Sequence, residues 1–388
     1  MSIDSEINRE RILNYRLSKF LKENGIKRLR LTSIGNSIAS GYSMVRKTKP
    51  LLLRNKSIKK YMKKNGIDVD IHHFARAQNN SDEHIFEWLE SNIKESEIHV
   101  LNRNDYSMGE TSIPTPGITD EKIDKYYPTK MKKDYRFKDT ILESGKDLAN
   151  IVVYNGCTGS FLDGITRSGS LFQQMFYGVN RDISSIDSIL KIIQHNNRKN
   201  GSNTQVYLCG APNFLGLNAS ELINYKLRKL AKKYSNVVYV KPVSTKFVYQ
   251  PLDRCRDGEL SKIQSFLKVH SGIVDIHYDE EEYLRFNNNI IKTIKDNYEI
   301  TQSMINIDRK FYDLSTDIEL VNHELIDSKE KEKMLSNLIS SECDKIEGLN
   351  VRKQFLTKLK QYFIERLPYD FYYLGKEKIL EKLNIKSK

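Results

Sequence analysis

The sequence predicts an α/β fold with a mainly parallel sheet, followed by a small α-helical C-terminal domain. Short apolar segments alternate with longer amphipathic segments up to about residue 298, which is typical of strands connected by helices. Beyond about residue 300 no segment reads as a strand, and a charged amphipathic pattern continues to the C-terminus. The chain has 39% hydrophobic and 10% aromatic residues, which is enough for a core and excludes wholesale disorder.

The elements follow from the spacing of apolar residues and from turn residues at their ends. The predicted strands cover residues 28–34, 68–74, 151–154, 205–209 and 237–240. The predicted helices cover residues 5–23, 51–64, 81–92, 171–196 and 219–234. Asn24-Gly25 and Asn65-Gly66 are expected to end the first two helices, because glycine adopts the left-handed conformation without strain.

Composition divides the chain into three parts. Residues 1–26 are predicted to form an N-terminal helix, residues 27–298 the α/β domain, and residues 299–388 the helical C-terminal region. Residues 94–140 are polar, aromatic-rich and irregular, which indicates an insertion in the α/β domain.

Charge is concentrated near the N-terminus. Residues 1–70 contain 17 basic and 6 acidic residues, whereas residues 301–388 contain 16 and 15. The densest basic segment, residues 46–64, is either a solvated helix face or a guide for an acidic substrate. The four cysteines lack metal-like spacing, and the charged N-terminus does not resemble a signal peptide, so a cytoplasmic protein without a transmembrane segment is expected.

The first strand leads into SIGNSIASGYS, residues 33–43. Ligands of open α/β sheets bind beyond the carboxyl ends of the strands. A serine at a strand-to-helix turn can present its hydroxyl and its backbone N–H to a substrate, and Ser37 occupies such a place. An ordinary Asn/Ser helix cap is the alternative interpretation.

A second polar segment, SGIVDIHYDEEEY at residues 271–283, contains His277 between a short apolar run and an acidic helix start. A lone histidine is more often structural than catalytic. However, a serine after the first strand and a histidine after the last strand of one sheet meet at the same edge. Such a pair of nucleophile and base is what acyl transfer requires.

These segments resemble the SGNH (GDSL-type) hydrolases over roughly residues 27–295. GNSIASGYS is similar to the first sequence block of that family, with Asn36 in place of the usual aspartate and Ser37 in place of the nucleophile. Three further segments resemble later parts of the family pattern, namely FARAQNNSDEHIFEWL (74–89), VYLCGAPN (206–213) and VDIHYDEEEY (274–283). The last of these places His277 at the position of the general base.

The resemblance implies a flavodoxin-like three-layer fold and a set of site residues. It assigns Ser37, His277 and Asp275 as catalytic residues, and Ser37, Gln78 and Asn155 as oxyanion-hole donors. Gln78 replaces a glycine of the second block. Asp275 is the nearest orienting carboxylate, because Val274 occupies the position where the family commonly has aspartate.

The asparagine of the third block has more than one candidate. Thr158 occupies the position that corresponds to the family's asparagine. Asn155 lies three residues earlier, directly after a predicted strand, and Asn104 lies in the predicted insertion. Asn155 is favoured, and Asn104 stays open as the alternative.

The resemblance implies a serine esterase that hydrolyses or transfers a short acyl group and needs no cofactor or metal. An acylated glycan is the leading substrate, with acidic glycans among the candidates. The alternative is a catalytically degenerate SGNH-like domain that binds an anionic polymer, a lipid head group or a protein. No module for specific nucleic-acid recognition is visible in the sequence. A protein partner is left open for residues 301–388.

Overall fold

The computed structural model describes residues 3–35, 55, 57–75, 143–155, 171–212, 219–243, 248–251, 268–269, 272–275, 278–320 and 328–370. The predicted helix at residues 81–92 and the predicted insertion at residues 94–140 lie outside these ranges.

Five strands form one sheet in which all neighbouring strands are parallel. They are β1 (Arg28–Gly35), β2 (Asp68–Ala75), β3 (Leu148–Asn155), β4 (Gln205–Cys209) and β5 (Val237–Val240). Their order across the sheet is β2-β1-β3-β4-β5. The α/β class, the parallel sheet and the positions of all five strands are therefore as predicted.

Seven helices are described. They are α1 (Ile3–Glu23), α2 (Ile58–Lys64), α3 (Leu171–Lys199), α4 (Ala219–Lys233), α5 (Glu280–Leu320), α6 (Ser328–Asp344) and α7 (Leu349–Asp370). Among the described residues, no helix is both long enough and apolar enough to cross a membrane.

The first two helices end as the sequence predicts. Gly25 has a φ of 72°, and the backbone N–H of Ile26 bonds the carbonyl of Leu21 while that of Gly25 bonds Lys22. The same pair of bonds occurs at the end of α2, where Gly66 has a φ of 76°. This is the Schellman arrangement, which satisfies free carbonyls at a helix end and turns the chain into the next strand.

Helices pack on both faces of the sheet. On one face, Tyr207 of β4 donates a hydrogen bond to the carbonyl of Ile294 in α5, α1 packs on α5, and α2 packs on α1. On the other face, the guanidinium of Arg228 in α4 stacks on the ring of Tyr239 in β5. Helix α3 packs on α4, where Asp187 accepts a hydrogen bond from a lysine of α4. Both faces of the sheet are therefore shielded from water, as the apolar strands require.

A second, smaller sheet was not expected from the sequence. Its strands β6 (Val248–Pro251), β7 (Lys268–Val269) and β8 (Gly272–Asp275) are antiparallel in the order β6-β8-β7. The strand that precedes His277 in the sequence is thus β8 of this smaller sheet. The expectation that His277 follows the last strand of the parallel sheet is wrong.

Helix α5 connects two hydrophobic clusters. Its first part, up to Tyr298, packs into the core of the sheet, and its later part, from Ile300, packs with α6 and α7 in a separate cluster. The predicted boundary at residues 298 and 299 falls inside this continuous helix. Arg309 donates hydrogen bonds to the carbonyls of Asn197 and Ser202, which precede β4. The C-terminal helices are therefore attached at the amino ends of the strands.

Candidate active site

Three strands end in one row at the centre of the sheet. Gly35 of β1 pairs with Ala75 of β2 on one side and with Asn155 of β3 on the other. The strand that follows β1 in sequence, β2, lies on one side of it, and the next strand, β3, lies on the other side. The row of strand ends is therefore at the topological switch point, where open α/β sheets bind their ligands. Ser37 follows Gly35 by two residues, and Gln78 follows Ala75 by three.

Asn155 is the one predicted oxyanion-hole residue whose side chain the structure describes. The residue is 1% exposed, and its amide Nδ2 has no hydrogen-bond partner among the residues that the structure describes. Leaving a buried donor unpaired costs about 1–3 kcal/mol, so such groups are rare and call for a functional explanation. An unpaired amide at the switch point can donate to an oxygen of a bound ligand.

Two further polar side chains at this end of β1 were missed by sequence reasoning. The hydroxyls of Thr32 and Ser33 are buried and have no hydrogen-bond partner within the described part of the chain. Ser33 is on the same face of the sheet as Asn155, because it pairs with Val153, two residues earlier on β3. The signal in the sequence is the Thr-Ser pair within the otherwise apolar end of LRLTSIG.

The end of β4 is held rigidly next to this row. Asn224 of α4 accepts a hydrogen bond from the N–H of Ala211 at 2.8 Å and donates one to its carbonyl at 3.0 Å. A Cβ at Gly210 would lie 2.3 Å from the hydroxyl of Tyr239 and 2.7 Å from Oδ1 of Asn224, so only glycine fits. Burial raises the pKa of Tyr239 to about 12, although the guanidinium of Arg228 beside it acts in the opposite direction. The hydroxyl is therefore a neutral donor at neutral pH.

The start of α5 reaches the same edge of the sheet. Tyr278 donates a hydrogen bond to the carbonyl of Val243, three residues beyond β5, and burial raises the pKa of Tyr278. Asp279 and Glu282 form a reciprocal capping box, with bonds of 2.7 and 2.9 Å to each other's backbone N–H. Tyr278 directly follows His277 in the sequence, so the residue after the predicted base is fixed at the carboxyl edge.

The remaining predicted site residues are only partly covered. Ser37, Gln78 and His277 lie outside the described residues, as do the alternatives Asn104 and Thr158. Asp275 is the last residue of β8, where it pairs with Val248; its side chain is outside the described set. The structure thus places Asn155 beside Gly35, the strand end that precedes Ser37, and Gly35 beside Ala75, which precedes Gln78. Tyr278, which follows His277, is bound beyond the end of β5, two strands away from β3.

Within the described ranges, no group of three or more His, Cys, Asp or Glu residues could hold a metal ion. Comparison of the chain with protein-family models, with curated proteins and with solved structures found no significant match.

Proposed function

We propose that the protein is a serine esterase of the SGNH type, which hydrolyses or transfers a short acyl group carried by a sugar or glycan. The strand order β2-β1-β3-β4-β5 supports the proposal, because it is the order of flavodoxin-like folds. The single observation that carries it is the buried, unpaired amide of Asn155 beside Gly35, at the end of the strand that leads to Ser37.

In this proposal Ser37 Oγ attacks the acyl carbonyl carbon while His277 takes the hydroxyl proton. The carbonyl oxygen becomes an oxyanion, which accepts hydrogen bonds from the backbone N–H groups of Ser37 and Gln78 and from the side-chain amide of Asn155. The bond to the sugar oxygen then breaks, and His277 returns the proton to that oxygen. Water, or a second sugar hydroxyl in a transfer reaction, attacks the acyl-enzyme in the same way and restores Ser37.

The role of Asp275 is the orientation of His277. Because it lies two residues before the histidine, whereas the family commonly has its carboxylate three residues before, a backbone carbonyl can share this role. Loss of Asp275 is therefore expected to cost less activity than loss of Ser37 or His277.

The first test is hydrolysis of p-nitrophenyl acetate and of an acetylated sugar by purified wild type, Ser37→Ala and His277→Ala. Each variant should lose most of the activity, and the double variant should be little worse, because the residues act as a unit. A serine-directed phosphonate should label Ser37 in the wild type, and Ser40→Ala, in the same segment, should remain active. Full activity of Ser37→Ala would refute the mechanism.

Asn155→Ala tests the observation on which the proposal rests. Removing one oxyanion donor typically lowers kcat by about 10²–10³. Because Asn155 Nδ2 has no partner, the free energy of unfolding should change by no more than about 1 kcal/mol. Asn224→Ala is the matched control: it removes a buried asparagine with two satisfied hydrogen bonds and should mainly lower stability, by about 2 kcal/mol. Unchanged kcat in Asn155→Ala would contradict the assignment.

A further inference from the structure

Two helices far apart in sequence form one basic surface. Helix α1 exposes four basic side chains and α2 exposes four more. They are Arg11, Arg16, Lys19 and Lys22 of α1, and Lys59, Lys60, Lys63 and Lys64 of α2. Because α2 leads into the amino end of β2, its C-terminal lysines lie away from the switch point. They are poorly placed to guide a substrate into the candidate active site.

The two helices are fixed against each other by a buried polar network. Asn14 donates a hydrogen bond of 2.6 Å to Ser57, whose hydroxyl donates one of 2.9 Å to Glu10. Asn65 donates one of 2.8 Å to Ser18. Glu6 is also buried, where it accepts a hydrogen bond from the amide of Asn288. The carboxylates of Glu6 and Glu10 are therefore turned inward. Asp4 and Glu23 stay exposed on α1, where Glu23 pairs with Lys19 at 3.7 Å, so basic side chains outnumber acidic ones on the outer face of both helices.

Aromatic rings lie among these cations. Tyr15 of α1 and Tyr61 of α2 pack edge to face, with ring centroids 6.2 Å apart and planes at 72°. The Tyr15 residue is 48% exposed, and Ile12 beside it is also exposed. An exposed ring held by a second ring, with lysines around it, offers both a stacking platform and charge for a phosphate backbone.

We propose that this surface binds single-stranded nucleic acid without sequence preference, at a site separate from the candidate active site. Paired cationic helices supply contacts to successive phosphates, and Tyr15 supplies a face for one base. A lipid surface fits less well, because Leu13, Leu17 and Leu21, the apolar face of α1, are buried in the core and cannot insert into a bilayer. An acidic protein would leave the exposed aromatic ring without a specific role.

The test is fluorescence anisotropy of the full chain with labelled 20-nucleotide oligo(U) and oligo(dT). With about four phosphates contacted, affinity should fall about 50-fold between 50 and 200 mM KCl. A variant with Lys59, Lys60, Lys63 and Lys64 changed to Gln should bind at least tenfold more weakly, with a flatter salt dependence. Tyr15→Ser should weaken binding about tenfold and leave the salt dependence unchanged.

The matched control replaces four exposed lysines elsewhere, namely Lys229, Lys232, Lys310 and Lys353, with Gln. It removes the same charge and should retain affinity within about twofold if the proposed surface is the site. An equal loss in this control would overturn the proposal in favour of net charge. Heparin binding as tight as oligonucleotide binding, with no effect of Tyr15→Ser, would overturn it in favour of a general polyanion surface. Binding of phosphatidylserine vesicles but not of oligonucleotides would overturn it in favour of a membrane.

Discussion

Arg198 and Asp308, 110 residues apart in sequence, form a paired charge contact with hydrogen bonds of 2.8 and 2.7 Å. The carboxylate of Asp308 is 2% exposed and also accepts a hydrogen bond from the hydroxyl of Tyr362 in α7. Three helices, α3, α5 and α7, therefore meet at one carboxylate. This contact holds the C-terminal helices to the amino end of the sheet.

Asp308→Asn should lower the free energy of unfolding by about 3 kcal/mol, because it leaves the guanidinium of Arg198 without its buried countercharge. Urea unfolding followed by circular dichroism measures the change. The control is Asp296→Asn, which breaks an exposed pair with Lys292 and should cost less than about 1 kcal/mol. Equal losses of stability in the two variants would contradict the expectation that the buried ion pair contributes more than the exposed one.

Tyr278→Phe should remove the hydrogen bond to the carbonyl of Val243 at the carboxyl edge. The expected loss of stability is about 1 kcal/mol. If His277 is the base, looser anchoring of the next residue should also lower kcat for a short acyl ester roughly tenfold, with little change in KM. Tyr207→Phe, which removes a buried tyrosine hydroxyl that can bond Gln205 Oε1 at 3.0 Å and the carbonyl of Ile294 at 3.3 Å, should cost similar stability and spare kcat. If Tyr278→Phe and Tyr207→Phe have the same kcat, the anchoring of Tyr278 does not contribute to catalysis.

Gly210→Ala should destabilise the protein by about 1–3 kcal/mol, because the new Cβ overlaps Tyr239 and Asn224. Asn224 cannot move without losing its bonds to Ala211. Gly201→Ala is the comparison, since Gly201 has a φ of 67° and no atom near its would-be Cβ, so only backbone strain of about 1 kcal/mol applies. Thermal unfolding of both variants distinguishes overlap from strain; a Gly210→Ala protein as stable as wild type would show that the β4 turn is not rigid.

Stability should depend on pH through Lys358. Burial lowers the pKa of Lys358 to about 7, and its Nζ donates a hydrogen bond of 2.9 Å to the carbonyl of Val237. In the unfolded chain the lysine pKa is about 10.4, so between pH 7 and 10 the unfolded state binds more protons and the free energy of unfolding rises with pH. Below pH 7 the full cost of the buried ammonium remains.

Lys358→Met should remove this cost, raising the free energy of unfolding at pH 7 by up to about 4 kcal/mol and flattening the rise between pH 7 and 10. The exposed Lys353→Met should do neither. Urea unfolding at pH 6, 7, 8, 9 and 10 measures both. A Lys358→Met protein with the pH dependence of wild type would show that this lysine is not the titrating group.

The sequence predicts those elements whose signals are local. The five parallel strands are short apolar runs between turn residues, and both Asn-Gly helix stops were found because glycine has a distinct conformational preference. The small sheet was missed, because a strand such as Lys268–Val269 is too short to show a two-residue period. The continuity of α5 was missed because the change from one cluster to the other, between Tyr298 and Ile300, was expected to be a break in the chain. Both residues are apolar and buried within one helix, so a domain boundary inferred from composition does not show where a helix ends.

The candidate site was predictable where a residue type has a characteristic place in a family pattern. The resemblance predicts Asn155 as an oxyanion donor, and this role stays a prediction. Nothing in the sequence reveals that its amide lacks a partner among the described residues, which depends on what packs around it. The pairing of Tyr15 with Tyr61 could not be predicted either, because it depends on how α1 docks on α2. Contacts between distant segments are set by tertiary packing, and local patterns do not encode their partners.

The single helix shared by two hydrophobic clusters has a consequence for how the molecule melts. Ile294 and Tyr298 pack beneath the sheet, and Ile300 and Met304 pack among the terminal helices, one or two turns away on the same helix. Unfolding of either cluster removes the packing from one part of α5 and so destabilises the part of the same helix that the other cluster needs. Calorimetry should therefore record one heat-absorption peak for the intact chain. A chain that ends after Tyr298 would lack the part of α5 that carries Asp308 and Arg309. The segment before β4 would then lose its hydrogen bonds to these two side chains.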